Sequence, residues 1–115
     1  MAKNQYYDIH FRIWLYEGDE KVLGKGRVEL LELIKKTGSI TNAAKEMKMS
    51  YRQAWQMVKE MNETAKSPLV EKKMGGKEGG GAFITSTAER YISEFHELNH
   101  KLKIFIEKEA AALKK

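Results

Sequence analysis

The chain contains no cysteine. That removes disulfides, thiolate metal sites and cysteine nucleophiles together, and it agrees with a reducing compartment. No apolar run approaches the ~20 residues of a membrane-spanning helix. The opening stretch, MAKNQYYDIHFRIWLYEG, alternates and carries charge, unlike a secretory leader. No internal repeat is visible, and proline occurs once, at Pro68. At 115 residues a single domain with a modest core is expected, without a second lobe to close a substrate cleft. Together these absences predict a cytoplasmic protein with no membrane partner. What is present is positive charge: 21 Lys and Arg against 16 Asp and Glu, a formal net charge of +5. Such an excess points to an anionic partner.

Tyr7 to Tyr16 alternates, with Ile9, Phe11, Ile13 and Leu15 on one face and His10, Arg12, Trp14 and Tyr16 on the other. This period of two predicts a strand, closed by the turn residues Gly18 and Asp19. From about Gly26 the period changes. Val28, Leu30, Leu31, Leu33 and Ile34 recur at helical spacing, and Gly38 ends that helix. Ser39 or Thr41 caps a short second helix through Ala43, Ala44 and Met47; two alanines allow another helix to approach closely. Ser50 caps a third helix to about Ala65, with the stripe Ala54, Val58, Met61 and Ala65 buried. Pro68 prevents its continuation. Leu69 to Met74 and Ala82 to Thr85 read as two strands around a glycine-rich tip, Gly75 to Gly81. That tip lacks the pattern of a phosphate-binding P-loop. Ser86-x-x-Glu89 has the form of a capping box, opening a helix of about 28 residues, on the order of 40 Å long. Along it Tyr91, Phe95, Leu98, Leu102 and Phe105 recur at steps of four and three, a heptad seam. A helix this long has nothing in so small a domain to cover it, and a second copy of the chain is the expected cover.

Three helices followed by a two-stranded hairpin make a winged helix-turn-helix, mainly α with a small β component. The predicted organisation is a single domain over 1–115: an N-terminal strand (1–20), the helix-turn-helix with its wing (26–85) and a dimerisation helix (86–115). In such a unit the third helix enters the DNA major groove. Its buried stripe sets the opposite face as Arg52, Gln56, Lys59 and Glu63, with Tyr51 and Gln53 at the start. Tyr51, Arg52, Gln53, Gln56 and Lys59 are the candidate base readers, since Arg pairs with guanine and Gln with adenine through two hydrogen bonds. Between Lys35 and Lys59 stand six basic residues and one acid, Glu46, so this segment carries charge equal to the whole chain's excess. Ser39, Thr41 and Asn42 at the second helix, Ser50 at the third, and Lys73 and Lys77 of the wing are the candidate phosphate contacts. Trp55 lies one step off the buried stripe and is expected to pack on the first helix or the wing.

His96 to His100, HELNH, fits H-E-x-x-H, two imidazoles on one helix face with a glutamate between. A zinc hydrolase also needs a third ligand and an open position. Fifteen residues follow His100, along one predicted helix, and the remaining histidine, His10, lies on the first strand. The motif therefore reads as exposed histidines on a dimer helix. No metal, catalytic residue or enzyme activity is expected.

The chain resembles the N-terminal DNA-binding domain of the ModE family of molybdate-responsive transcriptional regulators, whose helix-turn-helix is similar to that of LysR-type regulators. The resemblance runs through Gly38-Ser39-Ile40, Ala43-Ala44, Ser50-Tyr51, Ala54-Trp55, Glu60-Met61-Asn62, Leu69-Val70-Glu71, Gly75-Gly76-Lys77 and Gly79-Gly80-Gly81 to Thr85. Arg52 stands where the family often has lysine, and Glu78 where it has glycine. The resemblance implies a homodimer, formed through the first strand and the last helix, facing a palindromic operator on double-stranded DNA. Tyr91, Phe95, Leu98, Leu102 and Phe105 would form the interface. In the family molybdate is held by separate C-terminal domains. The expectation is therefore that this chain has no cofactor and does not bind molybdate. The alternatives are a winged-helix protein–protein adaptor and a sequence-blind architectural DNA binder. The exposed Arg52, Gln53, Gln56 and Lys59 over a basic surround favour the regulator over the adaptor.

Overall fold

Residues 6–73 and 81–113 are described by the computed structural model. Strand β1 (Trp14–Glu17) pairs antiparallel with β2 (Glu20–Gly24). Gly18 supplies the turn with a φ of 60°, a left-handed conformation that glycine adopts at low cost. The expected strand from Tyr7 to Tyr16 is thus corrected: only its last three residues pair, and the strand runs on to Glu17. The reason is a lack of partners. β2 has five residues before the chain turns into helix, too short to pair ten. The alternation survives as packing, since Phe11, Ile13 and Leu15 are more buried than their neighbours. β2 was not visible as a strand in the sequence; its inward residue Leu23 is 1% exposed. The register shifts opposite the Leu15–Tyr16 step, where Val22 of β2 is left without a partner residue.

Helix α1 (Lys25–Thr37) ends at Gly38, which has a φ of 72° and donates its N–H to the Ile34 carbonyl. Helix α2 (Ile40–Glu46) is capped by Ser39, and α3 (Tyr51–Thr64) by Ser50. At α3 the capping box is complete: Gln53 N–H donates to Ser50 Oγ, and Ser50 N–H to Gln53 Oε1. The core gathers Leu23, Leu30, Leu31, Ile34, Met61 and Leu69, each at most 1% exposed. Ala43, Ala44 and Ala54, equally buried, let α1, α2 and α3 approach closely. Each large side chain in this cluster contributes roughly 1.5–3 kcal/mol by leaving water.

The wing strands β3 (Val70–Lys72) and β4 (Ala82–Ile84) pair antiparallel, Val70 opposite Ile84. Met74 and the predicted tip through Gly80, including Lys77, lie outside the described residues. Helix α4 (Ser86–Ala110) has 25 residues, about 38 Å at 1.5 Å per residue. Its cap is Thr85, whose hydroxyl accepts from Ala88 N–H; the expected capping box at Ser86 is thus corrected to a single cap one residue earlier, since Ala88 has no side-chain acceptor to complete a box. The hydroxyl of Thr85 also donates to the Pro68 carbonyl and its N–H to the Leu69 carbonyl. The residue that closes the wing therefore also starts the helix. α4 projects beyond the core, and the Cα radius of gyration of 17.7 Å exceeds the roughly 13 Å of a compact chain near this length. Its first half packs inward through Ala88, Ile92 and Phe95.

Candidate nucleic-acid interface

The geometry of α3 follows from its stripe. Ala54, Val58 and Met61 are buried, which turns Arg52, Gln56, Lys59 and Glu63 outward, all exposed. Tyr51 is 47% exposed at the N-terminal end. Two further positions are partly committed to local structure. Ser50 and Gln53 spend their side-chain oxygens on the helix start, leaving Gln53 its amide N–H groups for an outside partner. The Lys59 ammonium lies 5.6 Å from the centre of the Trp55 ring, within reach of a cation–π attraction. Trp55 itself faces the wing, sharing a shallow hollow of about 270 Å³ with Val70 and Lys72.

The wing is fixed to α3 by Asn62. Its side-chain oxygen accepts from Leu69 N–H at 2.8 Å and Val70 N–H at 3.1 Å, and its amide donates to the Val70 carbonyl at 3.0 Å. The far side of the wing root rests on α1. Ala82 N–H donates to the Gly38 carbonyl at 2.9 Å. A Cβ at Gly81 would stand 2.7 Å from that same carbonyl oxygen, so no larger residue fits without moving backbone. These bonds bring Ser39, Thr41, Tyr51, Lys72 and Lys73 around one hollow of about 300 Å³, with no carboxylate among the described residues that line it. Three hydroxyls and two ammonium groups around one concavity suit a phosphate. Ser39 also caps α2 through Asn42 N–H at 3.1 Å. Asn42 is exposed, and Lys77 lies outside the described residues.

Sequence reasoning missed Arg27, Lys72 and Gly81, and gave Asn62 no role of its own. Arg27 is 7% exposed. It donates to the Lys21 and Val22 carbonyls at 2.6 and 3.3 Å, and its Nη2 to Glu60 Oε1 at 2.7 Å. A signal existed: Arg27, Leu31 and Ile34 fall at i, i+4 and i+7, and a cation on a buried stripe requires partners. Glu60 Oε2 accepts from Gln56 Nε2 at 3.2 Å.

The seam residues on α4 divide. Phe95 is 5% exposed and belongs to the core of its own chain, while Tyr91 and Leu102 are half-buried. Leu98 and Phe105 are 40% and 59% exposed. In HELNH, His96 Nε2 lies 3.1 Å from Glu32 Oε2 on α1, His100 is exposed, and no three potential ligands cluster among the described residues. A hollow of about 970 Å³ lies away from α3, between residues 6–13, α1 and the outer half of α4. Among the described residues no helix is long and apolar enough to cross a membrane.

Comparison with known proteins places the match on this same unit. The model of bacterial regulatory helix-turn-helix proteins, lysR family, matches residues 26–89. The transcriptional regulator ModE of Haemophilus influenzae is 47% identical over 66 residues, covering 57% of this chain and 26% of that protein. The molybdenum-pterin-binding protein MopB of Rhodobacter capsulatus is 44% identical over 73 residues, 64% of this chain and 27% of that protein. The DNA-binding transcriptional dual regulator ModE of Escherichia coli is 44% identical over 66 residues, 57% and 25% respectively. The matched segment thus spans about a quarter of the length of these curated relatives.

Proposed function

Because the chain belongs to the bacterial regulatory helix-turn-helix proteins of the lysR family, we propose that it is a sequence-specific DNA-binding transcriptional regulator. It acts as a homodimer on a palindromic operator. Helix α3 lies in the major groove, with Tyr51, Arg52, Gln53, Gln56 and Lys59 toward the bases. The wing lies on the flanking backbone or minor groove. Ser39, Thr41, Asn42, Ser50, Lys73 and Lys77 contact phosphates. Leu98, Leu102 and Phe105, with Tyr91, meet the partner, and Phe95 supports them from the core. The reading assigns no molybdate and no catalysis to this chain.

The observation that carries it is the hollow where α2, α3 and the wing root converge. Lys72 lines both this hollow and the one beside Trp55. The wing-root cations therefore adjoin the exposed face of α3, the arrangement needed to hold the duplex backbone while α3 reads it. A hollow of hydroxyls and ammonium groups beside that face suits the phosphates of a duplex backbone. Two variants test the division of labour. Arg52→Ala should relax preference at one base pair, by roughly 1–3 kcal/mol. Lys73→Ala should weaken every duplex alike and lower the salt slope by about one. Equal losses from both on all sequences, measured by fluorescence anisotropy, would support the sequence-blind alternative.

A further inference from the structure

We propose that Glu60, anchored by Arg27, is a positioning residue that orients the Gln56 amide to read adenine; the inference rests on the DNA-reading role of α3. The chain of contacts is continuous. Arg27 is buried between α1, β2 and α3, and its guanidinium is held by the Lys21 and Val22 carbonyls. Its Nη2 grips Glu60 Oε1 at 2.7 Å. The other carboxylate oxygen, Oε2, accepts from Gln56 Nε2 one helical turn earlier, at 3.2 Å. A carboxylate only accepts, whereas an amide has one donating and one accepting end. Turning the Gln56 amide over would set its oxygen against the Glu60 oxygen. Glu60 therefore selects which end of the amide lies inward.

The remaining edge of Gln56 follows from its valences. One amide hydrogen goes to Glu60. Oε1 and the second N–H stay free, an acceptor beside a donor. In the major groove adenine offers the complement, a donor at N6 beside an acceptor at N7, while guanine offers two acceptors. Gln56 lies opposite the buried stripe of α3 and is exposed. Its edge is already turned when DNA arrives, so the complex loses less rotamer freedom on forming.

The test is selection of bound duplexes from a random library with the full chain and three variants. Gln56→Met, a surface change of similar length, should erase an adenine preference at one position of each half-site. Glu60→Gln keeps the size and a hydrogen bond to Arg27 but presents Gln56 with a group that both donates and accepts. It should lower the adenine-to-guanine ratio at that same position about tenfold, out of the roughly 1–3 kcal/mol a paired contact supplies. Removing a negative charge raises affinity for all duplexes together, so the ratio is the readout. Should Glu60→Gln fail to fold by circular dichroism, Glu60→Asp takes its place: it retains a charge for Arg27 and withdraws the oxygen from Gln56, with the same expected loss. The proposal is overturned if the position that responds to Gln56→Met prefers guanine in the parent chain. It is also overturned if the ratio stays within twofold in the folded Glu60 variant, or if Gln56→Met changes no position. A parent chain that selects no motif at all contradicts the regulator reading itself.

Discussion

At the scale of single residues, polar side chains that serve backbone do most of the positioning. Asn62 makes three hydrogen bonds to Leu69 and Val70, and it is the direct tie between α3 and the wing strand. Nothing about its place in the sequence announces this, because the partners are backbone groups seven and eight residues on, across a break in the helix. The exposed face of α3 was legible, since a helix with a known buried stripe has a known opposite face. The capping role of Ser50 was legible for the same local reason, and the S-x-x-Q spacing to Gln53 already carried the signal of the complete box. Asn62→Ala should cost about 2–3 kcal/mol at roughly 1 kcal/mol per lost bond. It should also weaken DNA binding by loosening the wing. Urea unfolding checks the first part; a loss below about 0.5 kcal/mol would mean that the wing is held by its apolar residues alone.

Elements were recognised where period and cap agreed. All four helices stand where periodicity and caps set them, to within a residue or two at most ends. The strands were less legible, because pairing depends on a partner that local pattern does not reveal. Tyr7 to Ile13 alternates as a strand should, yet β2 is too short to reach it. β2 itself, EKVLG, is short, with two of its five residues charged, and its identity follows from the Gly18–Asp19 turn bringing it back on β1. The junction between α2 and α3 holds a strained residue. Lys48 has a φ of 56°, a conformation costly for any residue with a Cβ. Lys48→Gly should raise stability by about 0.5–1 kcal/mol, the relief of strain being partly offset by a more flexible unfolded chain. Lys48→Ala, which keeps the strain, should not. Thermal unfolding of the two variants separates these outcomes, and an equal response would place the turn's stability outside its backbone geometry.

For the whole molecule, α4 is the decisive feature. Its inner face is occupied by its own chain through Ala88, Ile92 and Phe95. An adjoining face keeps Leu98 and Phe105 in solvent, with Leu102 half-buried beside them. The heptad spacing marked the whole seam but did not separate Phe95 from it, since both faces of the helix are apolar and period alone does not say which is already covered. Leu98→Glu should leave the fold intact, as the side chain is 40% exposed in the single chain. By light scattering it should convert a dimer to a monomer. An unchanged dimer would move the interface to the N-terminal segment or elsewhere. Two copies joined through α4 would present two α3 helices, and half-sites about one helical turn apart are the geometric consequence.

The central question is whether α3 reads sequence. The most direct measurement is selection of duplexes bound by the full chain from a random library, at two salt concentrations. Sequence-specific reading by α3 predicts a palindromic motif at both, with overall retention falling at the higher salt as phosphate contacts are screened. Retention of DNA at low salt with no motif at either concentration would contradict it.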